Sequence, residues 1–465
     1  MEKRTSRQSS RTRLNELVAM LREEILMGKR PVGDYLPSEK TFAEQYNLSN
    51  QSVRKGLETL VAEGLIEKIP RVGTKVTGPA DGNAITVTFG FHTSVTGEAD
   101  IHRLLTQFQK QHPHIRVKAV PFPSNDYSYI RNYLTGGLFD VVMMNINNFR
   151  QYLESDDKEL FEPLSRDPGI YSFLTNAFQS GGKLLAQPFI FSPLVLCYNR
   201  EHFQEKKLPE PDSSWQWSDL IEHAAKLAAP NERLGFHCDI YSPNRWPLLL
   251  LQTGAAFERQ PDGRLQLADT TMLTALRYCR EMQQALPLLS EGIATGESER
   301  LLARGKVSMI LTSYFYLNYL AGENVPFDVA PVPHLGTPMT LLLNIGLAVS
   351  RQTPNKEAAV KLVDFLTSEQ AQLFIRQMTY SLPARKSAAE WIGKDTLYRP
   401  SRFSLFRETI PGFRYFTDLG ITAAELAAIN QEAKLYWAGL ENEETFVAQI
   451  EAYAEPKPEG TAAAK

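Results

Sequence analysis

Residues 33–77 read GDYLPSEKTFAEQYNLSNQSVRKGLETLVAEGLIEKIPRVGTKVT, and no other stretch restricts the fold as tightly. Ser38 follows an extended Leu36-Pro37 entry and suits a helix N-cap, because its hydroxyl can accept from the first free amides. The helix after it buries Phe42 and Ala43. Tyr46-Asn47-Leu48 is a turn. Ser49 caps a second helix whose apolar residues Val53, Leu57, Leu60 and Val61 fall on one face. Its start presents Asn50, Gln51, Arg54 and Lys55, where a recognition helix meets base edges. Gly64 ends the helix. Leu65–Ile69 and Thr74–Thr77 read as two short strands around a Pro70–Gly73 tip. An earlier helix carries Leu14, Leu17, Val18, Leu21 and Ile25 at helical spacing. The whole reads as an α+β winged helix-turn-helix over residues 1–78.

Leu36-Pro37-Ser38-Glu39, the run Ser49 to Lys55, the Glu63-Gly64-Leu65-Ile66-Glu67 stretch and Gly73-Thr74 resemble the winged-helix domain of GntR-family bacterial transcription regulators. In that family the start of the second helix, the cap of the recognition helix and the wing tip touch DNA. Carried over, the resemblance implies contacts from Ser38, Lys40, Ser49, Asn50, Ser52, Arg54 and Gly73. Gln51 and Lys55 on the exposed helix start and Arg71 at the wing tip complete the candidate DNA-binding set. The family usually has Arg at the positions of Lys40 and Asn50, and Gly at that of Arg71. Arg bonds guanine through two donors, whereas Asn suits adenine. The operator implied here therefore departs from the family's usual one.

Charge agrees with a basic head on an acidic body. Residues 1–78 hold 14 Lys and Arg against 10 Asp and Glu, leaving 36 against 43 for the rest. An ordinary solvated surface would also account for so modest an excess. The basic, Ser/Arg-rich start, Met1 to Arg13, lacks the apolar core of a signal peptide. No run of 18 apolar residues occurs, so no membrane span is expected. Cys197, Cys238 and Cys279 are isolated and odd in number, which suits a cytoplasmic, reducing setting rather than a disulfide frame or a zinc site.

Residues 79–84 form a turn-rich linker. Beyond it strands alternate with helices: Ile85–Phe91, helix Ile101–Gln109, Ile115–Val120 and Asp140–Met144. That rhythm predicts a mostly parallel sheet with helices on both faces. Ligands of such sheets bind beyond the strands' carboxyl ends. His92, Thr93 and Ser94 lie just past the first strand, and Asn145, Asn147 and Asn148 just past the Asp140–Met144 strand. Loop solvation is the plainer reading of these residues taken alone.

Phe139-Asp140-Val141-Val142, Pro188 with Tyr198-Asn199-Arg200, Pro209 with Trp217, Arg304 to Met309, Pro331-Val332-Pro333 and Pro354 to Ala359 resemble the family 1 extracellular solute-binding proteins. These are the carbohydrate receptors of ABC importers, with maltose-binding protein as a relative. The resemblance spans residues 85–453 and implies a two-lobed α/β domain of the type II periplasmic-binding-protein class. The lobes would be residues 85–194 with 335–380, and 196–332 with 384–453. Crossings would fall near Leu194–Cys197, Val332–His334 and Tyr380–Pro383, with a frayed tail at 454–465.

A sugar site needs aromatic plates beside amide, carboxylate and imidazole partners. Tyr241 and Trp246 stand in an aromatic stretch ending in Trp246-Pro247, similar to one in maltose-binding relatives. Tyr314, Phe315 and Tyr316 follow the Gly305–Met309 motif, and Phe315 takes the position where relatives place a stacking Trp. Asn344 lies in a segment that faces the cleft in the family. The candidate ligand residues are thus His92, Thr93, Asn145, Asn147, Asn148, Tyr241, Trp246, Tyr314, Phe315 and Asn344. Each aromatic could equally be core. Asn147 and Asn148 replace charged contact residues of sugar-binding relatives.

His112-Pro113-His114 reads as a solvated turn, so no metal is expected. No Gly-x-Ser-x-Gly elbow or other catalytic motif occurs. Some GntR-type heads are fused to aminotransferase-like bodies that use pyridoxal phosphate. This body carries solute-receptor motifs instead, so neither enzyme activity nor a cofactor is expected. The expected function is a cytoplasmic, homodimeric regulator that binds double-stranded operator DNA, senses a sugar or oligosaccharide, and controls carbohydrate uptake or use genes. The alternative is a regulator whose body has lost sugar binding and serves as a protein–protein platform.

Overall fold

The computed structural model describes residues 13–14, 17–22, 24–25, 29–70, 72–78, 85–122, 126–155, 157, 159–285, 296–393 and 397–453. The basic start, Arg71, the 79–84 linker and the 454–465 tail lie outside the described residues.

In the head, Glu39–Tyr46 and Asn50–Ala62 are the two helices around the turn. Thr41 N donates to Ser38 Oγ, and Ser52 N to Ser49 Oγ, each at 3.1 Å, so both serines cap as their positions predict. Between the helices Asn47 is left-handed (φ 49), a conformation its short polar side chain tolerates. Leu17, Leu21, Ile25, Phe42, Val53, Leu57 and Leu60 form one buried cluster. Val61 is corrected: it is 39% exposed, because it sits one residue past Leu60 at the margin of the apolar stripe. Gly56 costs helix propensity but admits the first helix, since a Cβ there would meet Leu14 Cδ1 at 2.7 Å and Val18 Cγ2 at 2.9 Å. Arg22 bridges to Glu63 at 2.6 Å and ties the first helix to the end of the recognition helix. Ile66–Ile69 and Gly73–Val76 pair antiparallel, Ile66 opposite Val76, as the wing.

The body is built on one long sheet that, among the described residues, has ten strands. Ile115–Phe122, Ile85–His92 and Val141–Asn145 are parallel neighbours. Thr340–Val349 follows, antiparallel to Val141–Asn145, and then Gln187–Asn199, antiparallel to Thr340–Val349. Val307–Ser313 and Phe327–Ala330 add to the far half of Gln187–Asn199, and Leu234–His237 closes the order. The expectation of a mostly parallel sheet therefore needs correction: the sheet is mixed. The long strands that run between the two halves travel against their neighbours.

Gln187–Asn199 is buried along its whole length, as a strand covered on both faces must be. Up to Pro193 it pairs with Thr340–Val349, and from Leu194 with Val307–Ser313. Pro193 has no N–H to donate, so it suits the residue where the ladder changes partner. On one side of that switch, helices Ile101–Gln111 and Lys356–Leu366 pack on the sheet around Phe89, Leu105, Phe108 and Leu362. On the other, Trp217, Trp246, Leu250, Leu276 and Trp437 form a second core, which helices Ala423–Trp437 and Glu443–Ala452 complete. Phe191, Val195, Tyr314, Tyr380 and Phe403 make a third cluster at the seam. Arg116 Nη2 donates to Ile25 O at 2.7 Å, joining the body's edge strand to the head's first helix.

Candidate functional site

His92, Phe122 and Asn145 are the last residues of the three parallel strands, and all three line one cavity of about 350 Å³. That is where the carboxyl ends of parallel strands place ligands, and the volume is at the small end for small-molecule sites. The facing wall carries Asn244 and Arg245, with Ser313, Phe315 and Tyr316 at and after the end of Val307–Ser313. Leu343, Asn344 and Ile345 come from Thr340–Val349, just before a register shift at Ile345/Gly346. An irregularity there re-aims side chains toward the cavity.

The polar wall is unusual in its burial. Asn344 is 1% exposed; its Nδ2 donates to Tyr415 Oη at 3.2 Å, while its Oδ1 has no partner among the described residues. Glu98, in the short helix Val95–Ala99, is 6% exposed, and its Oε2 is likewise without a partner among the described residues. Burial pushes the Glu98 carboxyl up to about 7, against the opposing pull of a hydrogen bond from Ser94. Ser94 Oγ in turn lies 2.8 Å from His92 Nδ1. Buried acceptors left unmatched cost stability, and a ligand that donates to them recovers it.

Glu98 therefore gives a pH-dependent penalty with a definite sign. Its carboxyl ionises near 4.5 when exposed and near 7 when folded. Folding loses stability as pH rises from the first value to the second, then no further. Glu98→Gln removes the ionisable group without changing shape. The variant is expected to match wild type near pH 4.5 and to exceed it by about 3 kcal/mol above pH 7, read as melting temperature against pH.

Of the predicted ligand residues, His92, Thr93, Asn145, Asn147, Asn148, Phe315 and Asn344 line this cavity. Three aromatics do not, and their expected role as cleft plates is corrected. Trp246 is fully buried; its Nε1 donates to Asn430 Oδ1 at 2.7 Å and its ring meets Trp437 at 5.9 Å. Tyr314 is fully buried in the seam, with its hydroxyl donating to Phe403 O at 2.8 Å. Tyr241 packs toward Trp437 and its hydroxyl accepts from Gln283. Asn244 and Arg245, between these aromatics, take the cavity wall instead. The pattern Tyr241 to Trp246 marked the right turn, but size sent its large rings to the core. Glu98 had no signal in the sequence beyond standing near the end of a strand.

The second candidate surface is on the head. Ser38, Lys40, Ser49, Asn50, Gln51, Arg54, Lys55 and Gly73 are all exposed, while Ser52 is half-buried and lies 2.8 Å from Ser49 through their hydroxyls. Arg54 pairs with Glu39 at 3.0 Å, and Lys68 from the wing reaches the same carboxylate at 2.8 Å. Lys68 first, and Arg54 after it, hold Glu39 below the usual carboxylate range. Glu39 thus fastens the recognition helix to the wing and steers Arg54, a role that sequence reading missed. Arg71 lies outside the described residues.

Comparison with known proteins agrees with both halves. Residues 103–400 match the family described as "Bacterial extracellular solute-binding protein", and residues 14–76 match "Bacterial regulatory proteins, gntR family". The "Putative binding protein BAB2_0491" of Brucella abortus (strain 2308) is 24% identical over 249 residues, 50% of this chain and 58% of that protein. The chain thus spans little more than half the length of that relative. The "Putative ABC transporter periplasmic-binding protein YcjN" of Escherichia coli (strain K12) is 23% identical over 353 residues, 69% of this chain and 79% of that protein. At the head, the "HTH-type transcriptional repressor NagR" of Bacillus subtilis (strain 168) is 36% identical over 64 residues, 14% of this chain and 26% of that one. Among solved structures, maltose-bound MalE3 of T. maritima superposes with a TM-score of 0.67 at 18% identity, covering 79% of this chain and 98% of that one. The ABC substrate-binding protein Lmo0181 from Listeria monocytogenes, in complex with cycloalternan, gives 0.66 at 20%, covering 79% and 97%. At such identities the likeness is one of fold.

Proposed function

Because the chain belongs to the bacterial extracellular solute-binding protein family over most of its length and opens with a gntR-family regulatory domain, we propose that it is a ligand-responsive transcription regulator. The head binds operator duplex and the cavity binds a saccharide. The observation that carries the ligand half is the pair of buried, unmatched acceptors, Glu98 Oε2 and Asn344 Oδ1, in one cavity wall. A ring of hydroxyls supplies the donors both lack, and Phe315 beside them offers an apolar face. Neighbours named for maltose and cycloalternan support the ligand class.

The mechanism follows from the shared strand. Two halves meet along Gln187–Asn199, and a ligand touching both walls favours their closure. In a cytoplasmic homodimer on inverted half-sites, two recognition helices stand about 34 Å apart, one duplex turn. Closure that alters this spacing changes DNA affinity, and DNA then changes saccharide affinity by the same factor. The regulated genes would be those for carbohydrate uptake or use.

The ligand half is tested by melting the full chain against a broad saccharide panel. A ligand at about 100 times its Kd is expected to add about 2.7 kcal/mol of stability. A second reading, the body as a protein-docking platform, gains from the withdrawal of Tyr241, Trp246 and Tyr314 into the core. A flat response to every saccharide would favour it.

A further inference from the structure

Resting on the saccharide reading, we propose that the cavity takes an acidic saccharide: a hydroxylated ring bearing one anionic group, carboxylate or phosphate, seated on Arg245. Arg245 is 5% exposed and lines the cavity. Its one described hydrogen bond is from Nη1 to the O of its neighbour Asn244, at 3.0 Å. The guanidinium lies over the Tyr316 ring, 5.3 Å from its centroid. No carboxylate bridges to it among the described residues, although twenty-one other ion pairs form there.

A guanidinium cannot shed its proton to escape burial, so its charge must be answered by something. Two buried carboxyls lie in this region, and neither answers it. Glu299 is fully buried; that burial raises its carboxyl, which hydrogen-bonds Thr312, and Arg245 acts on it only as a lesser influence. Glu98, across the cavity, forms no ion pair with Arg245 and is held toward its acid form by burial. The groups that face Glu98 are Ser94 on its own turn and Tyr316 and Tyr319 from the Tyr316–Leu320 helix, with Arg245 against the far ring of Tyr316. A planar fork with free donors fits a carboxylate or phosphate. A carboxyl in its acid form donates to a ligand oxygen and does not repel a nearby anion. Ring hydroxyls then meet Asn344 Oδ1 and the Asn145–Asn148 loop.

The arrangement also sets a proton linkage. An anion beside Glu98 raises that carboxyl further when bound, so binding takes up a proton above the free value near 7. Affinity for the acidic ligand is therefore full below that pH and falls as pH rises through it.

The experiment is calorimetry on the full chain with matched probes: glucose against glucuronate and glucose 6-phosphate, galactose against galacturonate, and the 1,4-linked dimers of the last pair. Inorganic phosphate and acetate serve as ring-free arms. Near pH 6, at least one acidic member is expected to bind about tenfold or more tightly than its neutral partner. Whether the uronate or the phosphate does so distinguishes the two sources of charge. Arg245→Gln is expected to abolish the preference, and Glu98→Gln to flatten its pH dependence. If Arg245→Gln does not fold, Arg245→Lys, which keeps the charge but loses the fork, is expected to retain a reduced preference. Neutral members binding as tightly as acidic ones, or an acid preference that survives at full size in the Arg245 variant, would overturn the proposal and leave the saccharide reading standing. Binding of phosphate alone as tight as its sugar ester would overturn the saccharide part. No binding by any member would overturn both.

Discussion

Trp246→Ala is expected to destabilise the body by roughly 3–5 kcal/mol, the usual cost of deleting a fully buried large aromatic. The ring is fully buried beside Trp437, Leu250 and Leu276, so its removal leaves a cavity that rigid neighbours cannot fill. Asn430 Oδ1, which accepts from the indole at 2.7 Å, loses its partner in the same step. The melting temperature of the full chain should drop by about 5 °C or more, given the size scaling of unfolding entropy. A ligand plate would behave otherwise: its loss would leave the ligand-free melting temperature unchanged and remove only the response to saccharide. Differential scanning calorimetry of the variant, with and without a bound saccharide, separates the two. An unchanged melting temperature without ligand would return Trp246 to the cleft.

Duplex affinity is expected to fall about a thousandfold between about 50 mM and 200 mM salt, if a dimer neutralises six or more phosphates. Lys40, Lys55 and Arg54 stand exposed beside the capped start of the recognition helix, which supplies that charge. Arg54→Ala should cost about 1–3 kcal/mol if the guanidinium reads a base. Glu39 makes that figure an informative one. Arg54 is already paired with Glu39 in the free protein, and so arrives oriented yet must share its donors. Fluorescence anisotropy with duplexes selected from a random pool by the full chain checks both effects. A salt-independent affinity, or an Arg54→Ala variant equal to wild type, would remove this helix face from the DNA.

The head was legible in the sequence almost residue by residue. Its caps, turn and wing depend on local chemistry: hydroxyls at Ser38 and Ser49, an αL-tolerant Asn47, a helix-ending Gly64. Only Val61 was misread, because an apolar residue at the edge of a stripe carries no sign of which side it takes. The body was legible at the level of strands and their carboxyl-end loops, which is why His92, Asn145, Asn147 and Asn148 were found. Sheet direction was not, since the long strands Gln187–Asn199 and Thr340–Val349 pair across more than a hundred residues of chain. The aromatic plates failed for a related reason. Periodicity does not say whether a turn such as Tyr241–Trp246 sends its rings inward and its Arg outward. Glu98 escaped notice because its character comes from burial, which is a property of neighbours distant in sequence.

The central claim is that one chain holds DNA and a saccharide and that each alters its grip on the other. The direct measurement is the anisotropy titration of a selected duplex by the full chain, repeated with a saccharide that calorimetry has shown to be bound at saturation. The account predicts two isotherms whose Kd values differ by about fivefold or more, in either direction, with the duplex shifting saccharide affinity by an equal factor. Two superimposable isotherms with the saccharide fully bound would contradict it.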